Sequence, residues 1–290
     1  MAVRPGIPGV PHGHRAPSGS GRVEWGCAPE EVHHAVEALT GPVYATATAP
    51  AGMNAQFAAT LDVPAGKMFL KAMPRAHPST FALANEARIA PSVLGISPRL
   101  LHHGTTEAWE YLLFEHVDGR HADLSPGSFD LDPLAGVLRR LLGVAEHDRS
   151  ASAPVEQRWA RFGSDLDLGL LAGDRLVHSD LNAGNIILVG EGGAVLVDWA
   201  LPARAAAWLN VGFLLAALIG AGFAPATAQR WAQRTFPEWS AAGRVAVDTF
   251  VAALARRRAE QATNCPQPRR AERQQQAFTA HRWLRFRGGP

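Results

Sequence analysis

Lysine is scarce in this sequence. Only Lys67 and Lys71 occur among its 28 basic residues, and all the others are arginines. A reaction that requires a side-chain amine therefore has two candidates, which lie four residues apart in the chain.

Cysteine is equally scarce. Cys27 and Cys265 are far apart, and neither belongs to a pattern with the spacing of metal ligands. This excludes a disulfide framework and a zinc site built from cysteines. A cytoplasmic location, where thiols stay reduced, is the expectation.

The sequence also lacks the apolar runs of targeting segments. Residues 1–24 are rich in proline and glycine, have no apolar stretch typical of a signal peptide, and are predicted to form a disordered tail. The uncharged stretch 205–223 approaches the length of a membrane span. Asn210 and three glycines within it favour a helix buried in a globular domain, so no membrane partner is expected.

Charge is unevenly distributed along the chain. The 290 residues have a formal net charge of +2, but residues 1–198 contain 15 basic and 22 acidic side chains, whereas residues 199–290 contain 13 and four. The run Arg256-Arg257-Arg258 lies in this basic part. We favour a solvated helix face for it, and the alternative is a site for a neutral or anionic substrate. No recognition motif for nucleic acid accompanies the arginines, so no such partner is expected.

Apolar periodicity divides the chain into a strand-rich front and a helix-rich back. The front is predicted to contain a helix over 28–39, strands within 43–73, a helix over 79–90 capped by Ser79 or Thr80, and strands over 99–103 and 109–117. Within 43–73, the strands AQFAATLDV and MFLKAM are predicted to form a hairpin across the turn Pro64-Ala65-Gly66. The back is predicted to contain helical segments over 130–147, 155–171, 205–221, 225–235, 240–262 and 271–286, and two short strands in NIILV and AVLVD. This order predicts an α+β fold with two lobes: residues 25–117, residues 118–264, and a basic C-terminal tail or helix over 265–290.

The most informative stretch is LVHSDLNAGNIILVGEGGAVLVDWA, residues 176–200. A loop with Asp180 and Asn185 precedes a hairpin of two short strands, and Asp198 follows it. A hairpin of this length returns the chain to its start, so the three side chains are expected to converge. Carboxylate and amide oxygens are the ligands that Mg²⁺ prefers.

This stretch resembles a known family. His-x-Asp-x-x-x-x-Asn followed by an Asp after a hairpin is the pattern of protein kinases and their relatives. The wording HSDLNAGN, with VDWA and AAWLN after it, is most similar to the aminoglycoside phosphotransferase family. The resemblance implies a bilobal protein-kinase-like fold and ATP-dependent transfer of phosphate to a hydroxyl of a small molecule, an antibiotic or a metabolite.

The resemblance also implies roles for single residues. Asp180 would be the catalytic base, and His178 would brace the catalytic loop. Asn185 and Asp198 would hold Mg²⁺. In the strand MFLKAM, Lys71 would bind the nucleotide phosphates, and Glu86, the only acidic residue between Asp62 and Glu107, would hold Lys71.

The nucleotide would be ATP, with GTP as an alternative. By resemblance, the backbone of Glu115 and Val117 would meet the adenine edge, with Phe114 behind it. Gly52, with Met53 and Asn54, would form the turn over the phosphates, although this loop has one glycine where the family has several.

Two departures keep a second function open. The glycine-poor loop and Asn210, where relatives often have Asp, suit a nucleotide-binding pseudokinase or regulatory module, and an amide at 210 predicts a slightly looser catalytic loop. A protein kinase is a third alternative, which the short segment between Asp198 and Asn210 disfavours.

The few acidic residues after Asp198 argue against a polycationic substrate. A monomer or weak dimer is expected.

Overall fold

The computed structural model describes residues 24–49, 55–144, 152–265 and 269–288. Within these ranges a strand-rich front is followed by a helix-rich back, as predicted. The expected phosphate turn at Gly52, Met53 and Asn54 and nearly all of the N-terminal tail lie outside the described residues.

The front lobe is built on a five-stranded antiparallel sheet. Its strands are β1 (Ala45–Thr48), β2 (Phe57–Val63), β3 (Gly66–Pro74), β4 (Leu100–Thr105) and β5 (Trp109–Glu115). They lie side by side in the order β1-β2-β3-β5-β4. The predicted hairpin between β2 and β3 is present, and Gly66 takes a φ of +110° after the Pro64-Ala65 turn, a conformation that suits glycine.

Two helices cover opposite faces of this sheet: α1 (Glu30–Thr40) and α2 (Phe81–Ile89). Val32 and Val36 of α1 pack with Leu61 and Leu70 on one face. Leu83 of α2 packs with Ala58 and Leu112 on the other. Because side chains alternate along a strand, Lys71, which pairs with Ala58 and Leu112, lies on the side of α2.

Thr80 corrects one expectation about α2. It occupies the N-cap position, but its side chain does not cap the helix. Its hydroxyl oxygen instead lies 2.7 Å from the Pro74 carbonyl oxygen and 2.8 Å from that of His77, and these two acceptors share its single proton. The hydroxyl therefore ties the helix start to the end of β3.

The back lobe is helical and holds the largest core. Its helices are α3 (Leu131–Leu142), α4 (Val155–Arg158), α5 (Trp208–Gly220), α6 (Pro225–Thr235), α7 (Pro237–Ala241), α8 (Arg244–Thr263) and α9 (Arg270–Phe286). Trp159, Phe250 and Trp283 are almost wholly buried together at its centre. The segment 155–171 is less helical than expected, since only α4 and two short 3₁₀ turns form there.

The apolar stretch around α5 is a buried helix, as predicted. Ten of its 13 residues are buried in the core. Within the described part of the chain, no helix combines the length and the apolar character that a membrane crossing requires.

Two small sheets lie where the lobes meet. One contains β6 (Arg120–His121), β9 (Ile186–Val189) and β10 (Gly193–Leu196), and the other contains β7 (Ala153–Pro154), β8 (Arg175–His178) and β11 (Pro202–Ala205). The β9–β10 hairpin is the one predicted from NIILV and AVLVD. The segment 116–119 connects the lobes, from the end of β5 to β6.

Candidate active site

The loop between β8 and β9 carries Asp180. His178 ends β8 opposite Pro202 of β11, so the loop starts from a fixed strand. Asn185 Nδ2 donates to the Asp180 carbonyl at 2.8 Å and lies 3.4 Å from Asp180 Oδ2. Asn182 Nδ2 donates to the same carbonyl at 2.9 Å. The two amides therefore fix both the backbone and the carboxylate of Asp180.

His178 joins this loop to the end of the hairpin. Its Nε2 lies 2.9 Å from the Val197 carbonyl, and its Nδ1 lies 3.4 Å from the Asp180 amide nitrogen. The neutral tautomer protonated on Nε2 satisfies both contacts. Burial lowers the pKa of His178, although the Val197 carbonyl and the Asp180 and Asp198 carboxylates oppose this shift. A neutral ring in this position connects the Asp180 loop to the residue that follows β10.

Asn210 anchors β8, the strand that leads into the loop. It is fully buried; its Oδ1 accepts from the His178 amide at 3.0 Å, and its Nδ2 donates to the Leu176 carbonyl at 2.9 Å. The expectation of a looser loop considered only the accepting oxygen. A carboxylate could not make the second bond, because it has no donor when ionised.

Lys71 connects the two lobes. Its Nζ lies 2.9 and 2.8 Å from the two carboxylate oxygens of Glu86 and 2.8 Å from Asp198 Oδ1. Lys71 is 8% exposed and Glu86 is 4% exposed. Burial alone would lower the pKa of Lys71, but the Asp198 and Glu86 carboxylates outweigh it and raise the pKa above its usual value. The ammonium is therefore charged throughout the physiological range.

Asp198 follows β10 in a left-handed conformation, with a φ of +68°. Among the residues that the structure describes, it is the only one other than glycine with a positive φ. Asp tolerates this region better than most residues, and such backbone geometry clusters at functional sites. The turn directs its carboxylate toward Lys71.

The oxygen atoms near the hairpin fit a hard divalent cation. Asn185 uses its nitrogen to bind Asp180, and its Oδ1 accepts no hydrogen bond from any residue that the structure describes. The Val197 amide donates to the Asn185 carbonyl at 3.0 Å, so the chain that leads into Asp198 runs beside Asn185. An amide oxygen and a carboxylate that leave room for water and phosphate oxygens suit Mg²⁺.

The segment between the lobes begins at Glu115. The Glu115 side chain pairs with Arg99 at 2.7 Å, so it points away from the sheet core, where Phe114 is buried. The Val117 amide donates to no group within the described residues. Its N–H is therefore available for a ligand at the cleft.

Several contributors to this site were not predicted. Trp199 donates its amide to Glu86 Oε1 at 3.3 Å and packs its ring against His178, with ring centroids 4.4 Å apart. The Ser179 hydroxyl donates to the Leu201 carbonyl. No local sequence signal could reveal these contacts, because each joins segments that only the fold brings together.

The expectation of a solvated arginine face holds for Arg256 but is wrong for Arg257. Arg256 is exposed and pairs with Asp165. Arg257 is only 9% exposed, and Arg258 is half-buried. A helix turns by about 100° per residue, so adjacent members of one run face different surroundings.

Comparison with solved structures identifies the fold. Aminoglycoside phosphotransferase APH(4)-Ia is similar over 90% of this chain and 99% of its own, with a TM-score of 0.64 and 12% identity. A thermostable mutant of the same enzyme, in a ternary complex with ADP and hygromycin B, covers 89% and 98% with a TM-score of 0.61 and 14% identity. Choline kinase LicA from Streptococcus pneumoniae covers 87% and 97% with a TM-score of 0.61 and 13% identity.

No protein-family model matches the chain, and no curated protein matches it. The structural similarity confirms the predicted α+β, bilobal protein-kinase-like fold of small-molecule phosphotransferases. At these identities it establishes the fold alone.

Proposed function

We propose that this protein transfers the γ-phosphate of ATP to a hydroxyl group of a small molecule, with Mg²⁺. The observation that carries the proposal is the buried ammonium of Lys71, held by Glu86 from one lobe and by Asp198 from the other. An isolated structural ion pair would need one carboxylate, whereas a lysine placed at the cleft between two lobes suits binding of phosphate oxygens. The structural neighbours, one of them crystallised with ADP, support the same chemistry.

In the transfer step, one bond forms, one bond breaks and one proton moves. The acceptor oxygen forms a bond to the γ-phosphorus, and the bond from that phosphorus to the bridging oxygen breaks, which releases ADP. The Asp180 carboxylate takes the hydroxyl proton. Asn182 and Asn185 hold the Asp180 backbone carbonyl, and Asn185 also contacts the carboxylate at Oδ2, so little reorganisation is needed as the bonds change.

Asn185 Oδ1 and the Asp198 carboxylate would hold Mg²⁺, which when bound neutralises charge on the phosphate oxygens. Lys71 would neutralise further charge on the nucleotide. Glu115 and Val117 would meet the base, and the turn at Gly52 and Asn54 would cover the phosphates. His178 would keep the loop in register through the Val197 carbonyl.

The decisive experiment compares Asp180→Asn with Asp174→Asn. Asp174 is an exposed carboxylate that precedes β8, so it is a matched control for charge. Acceptor-dependent release of ADP or GDP, and the mass of the product, would be measured with Mg²⁺, ATP or GTP, and a panel of hydroxyl compounds. We expect Asp180→Asn to reduce transfer by about 100- to 10,000-fold, because general base catalysis contributes that much.

Transfer at the wild-type rate in Asp180→Asn would contradict the assignment of the base. If the wild-type protein binds nucleotide but transfers phosphate to no compound, the protein is instead a nucleotide-binding regulatory module.

A further inference from the structure

Four arginines of the helical lobe lie near the Asp180 loop. They come from three helices: Arg158 from α4, Arg257 and Arg258 from α8, and Arg273 from α9. The charges of Arg258, Arg158, Asp180 and Arg273 all act on the Arg257 guanidinium. Asp180 is the one carboxylate among them, so the cluster lies within electrostatic range of the proposed catalytic base.

Arg257 is the buried member of this cluster. It is 9% exposed, and its guanidinium lies over the Trp159 ring at 5.6 Å from the ring centroid. Its Nη1 is buried and has no hydrogen-bond partner among the residues that the structure describes. Burial, together with Arg258 and Arg158, lowers the pKa of Arg257 to about 9. Asp180 acts on Arg257 without forming an ion pair with it, and a buried charge that lacks an ion-pair partner is strongly unfavourable, so its presence needs a reason beyond folding.

The other members of the cluster also bind neutral partners. Arg258 and Arg273 share one oxygen, Gln276 Oε1, at 2.7 and 2.9 Å. Arg158 donates to the carbonyls of Leu201 at 3.2 Å and Pro202 at 2.7 Å. None of the four forms an ion pair within the described part of the chain.

Nearby arginines outside the cluster are paired with carboxylates. Arg256 binds Asp165, and Arg161 binds Glu260 at 2.6 Å. The exposed arginines of this region are therefore paired with carboxylates of the chain, whereas the buried Arg257 is not paired with any carboxylate among the described residues. This contrast indicates that the anion for Arg257 comes from outside the chain.

The position of Arg158 ties the cluster to the catalytic loop. The Leu201 carbonyl accepts from Arg158 and also from the hydroxyl of Ser179, the residue before Asp180. An anion bound by the cluster would thus lie close to a hydroxyl presented to Asp180.

We propose that Arg257, with Arg158 and Arg258, binds a carboxylate or phosphate group of the hydroxyl compound that the protein phosphorylates. The planar guanidinium forms two parallel hydrogen bonds with either group. The acceptor is therefore an anionic hydroxyl compound, such as a hydroxy acid or a sugar phosphate. This inference rests on the proposed function and narrows its substrate class.

The experiment uses compounds that differ mainly in charge. Glycerol, glycerate and glycerol 3-phosphate form one set, and glucose, gluconate and glucose 6-phosphate form another; the second and third members of each set distinguish a carboxylate from a phosphate. Values of kcat and KM would be measured with wild type, Arg257→Gln and the control Arg256→Gln, an exposed neighbour in the same helix.

We expect an anionic member to be the better acceptor in at least one set. Arg257→Gln should raise its KM by about 30-fold or more, because loss of one partner of a buried charge pair has effects of that size. Arg256→Gln should stay within about two-fold of wild type, since exposed ion pairs contribute little. The melting temperature of Arg257→Gln should equal or exceed that of wild type, because the substitution removes an unpaired buried charge.

Two results would overturn the inference while the proposed function stands: preference for the neutral member in both sets, or an unchanged KM in Arg257→Gln. If no compound accepts phosphate, binding of gluconate and glucose 6-phosphate would be measured by calorimetry with wild type and Arg257→Gln. Binding by wild type that Arg257→Gln loses supports the anion site even if the transfer proposal fails. Absence of binding by wild type overturns it.

Discussion

Asn210 shows how one amide fixes the strand that leads into the Asp180 loop. Its oxygen accepts from the His178 amide, and its nitrogen donates to the Leu176 carbonyl, with no exposure to solvent. Both backbone groups lie on the strand that leads directly to Asp180. The side chain therefore fixes the strand end through a donor and an acceptor at once.

We expect Asn210→Ala to destabilise the protein by about 2–4 kcal/mol, because two buried backbone groups lose their partners. Asn210→Asp should also be destabilising, by at least about 1 kcal/mol, since a buried carboxylate would face the Leu176 carbonyl. The measurement is the free energy of unfolding in denaturant. The control is the exposed Asn264→Asp, expected within about 0.5 kcal/mol of wild type. An Asn210→Asp protein as stable as wild type would contradict the role given to the nitrogen.

His178 makes folding sensitive to mild acid. Burial lowers its pKa below the ordinary value of 6.5, so the unfolded chain takes up a proton on this ring at higher pH than the folded protein does. The stability associated with the neutral ring is fully present above pH 6.5 and declines as the pH falls below it, with a limiting slope of about 1.4 kcal/mol per pH unit.

The corresponding measurement is the melting temperature between pH 7.5 and 5.5. Wild type should lose stability more steeply than His178→Gln, which cannot titrate at this position. His34→Gln, a change of an exposed histidine on α1, should keep the wild-type slope. Parallel curves for wild type and His178→Gln would show that the ring does not resist protonation.

At the scale of the elements, the segment that connects the lobes depends on a close contact between Gly119 and β9. A Cβ atom on Gly119 would lie 2.2 Å from the Leu188 carbonyl oxygen and 2.7 Å from Ile187 Cγ2, both in β9. The lack of a side chain allows the connecting segment to run against β9 just before β6 pairs with it. The position of the segment 116–119 between the lobes therefore depends on this glycine.

We expect Gly119→Ala to reduce the free energy of unfolding by about 1–3 kcal/mol, because the contact is with backbone that cannot move aside easily. Gly136→Ala is the matched control. A Cβ at Gly136 meets no atom within 4 Å, and alanine in the α3 helix should add about 1 kcal/mol of stability. Equal stability of Gly119→Ala and wild type in denaturant would contradict the close contact between Gly119 and β9.

Elements with a clear apolar pattern could be predicted from the sequence, and elements without one could not. The helices α1 and α2 and the hairpins β2–β3 and β9–β10 were expected within a few residues of their observed bounds. The strands β8 (RLVH) and β11 (PARA) were not predicted, because neither contains an apolar run like those of the equally short β9 (IILV) and β10 (GAVL). Their pairing joins residues that lie 24 to 30 positions apart, so only the folded chain reveals it.

At the scale of the whole molecule, the order of the site residues could be read from the sequence, but their electrostatic surroundings could not. The spacing of Asp180, Asn185 and Asp198 is a local motif, and the scarcity of lysine made Lys71 conspicuous. Arg257 differs from Arg256 only by its place on a helix packed against other elements. Its burial is a property of tertiary packing, which a run of identical residues cannot encode locally.

The rarity of lysine has a practical consequence for labelling. Lys67 is exposed at the start of β3, whereas Lys71 is buried and held by two carboxylates that keep its amine protonated. Electrophilic dyes react with the unprotonated amine, so an activated ester would modify Lys67 and the α-amino group and spare Lys71. A fluorophore at Lys67 would lie near the start of β3 in the front lobe. It would report movement of the front lobe relative to the helical back lobe.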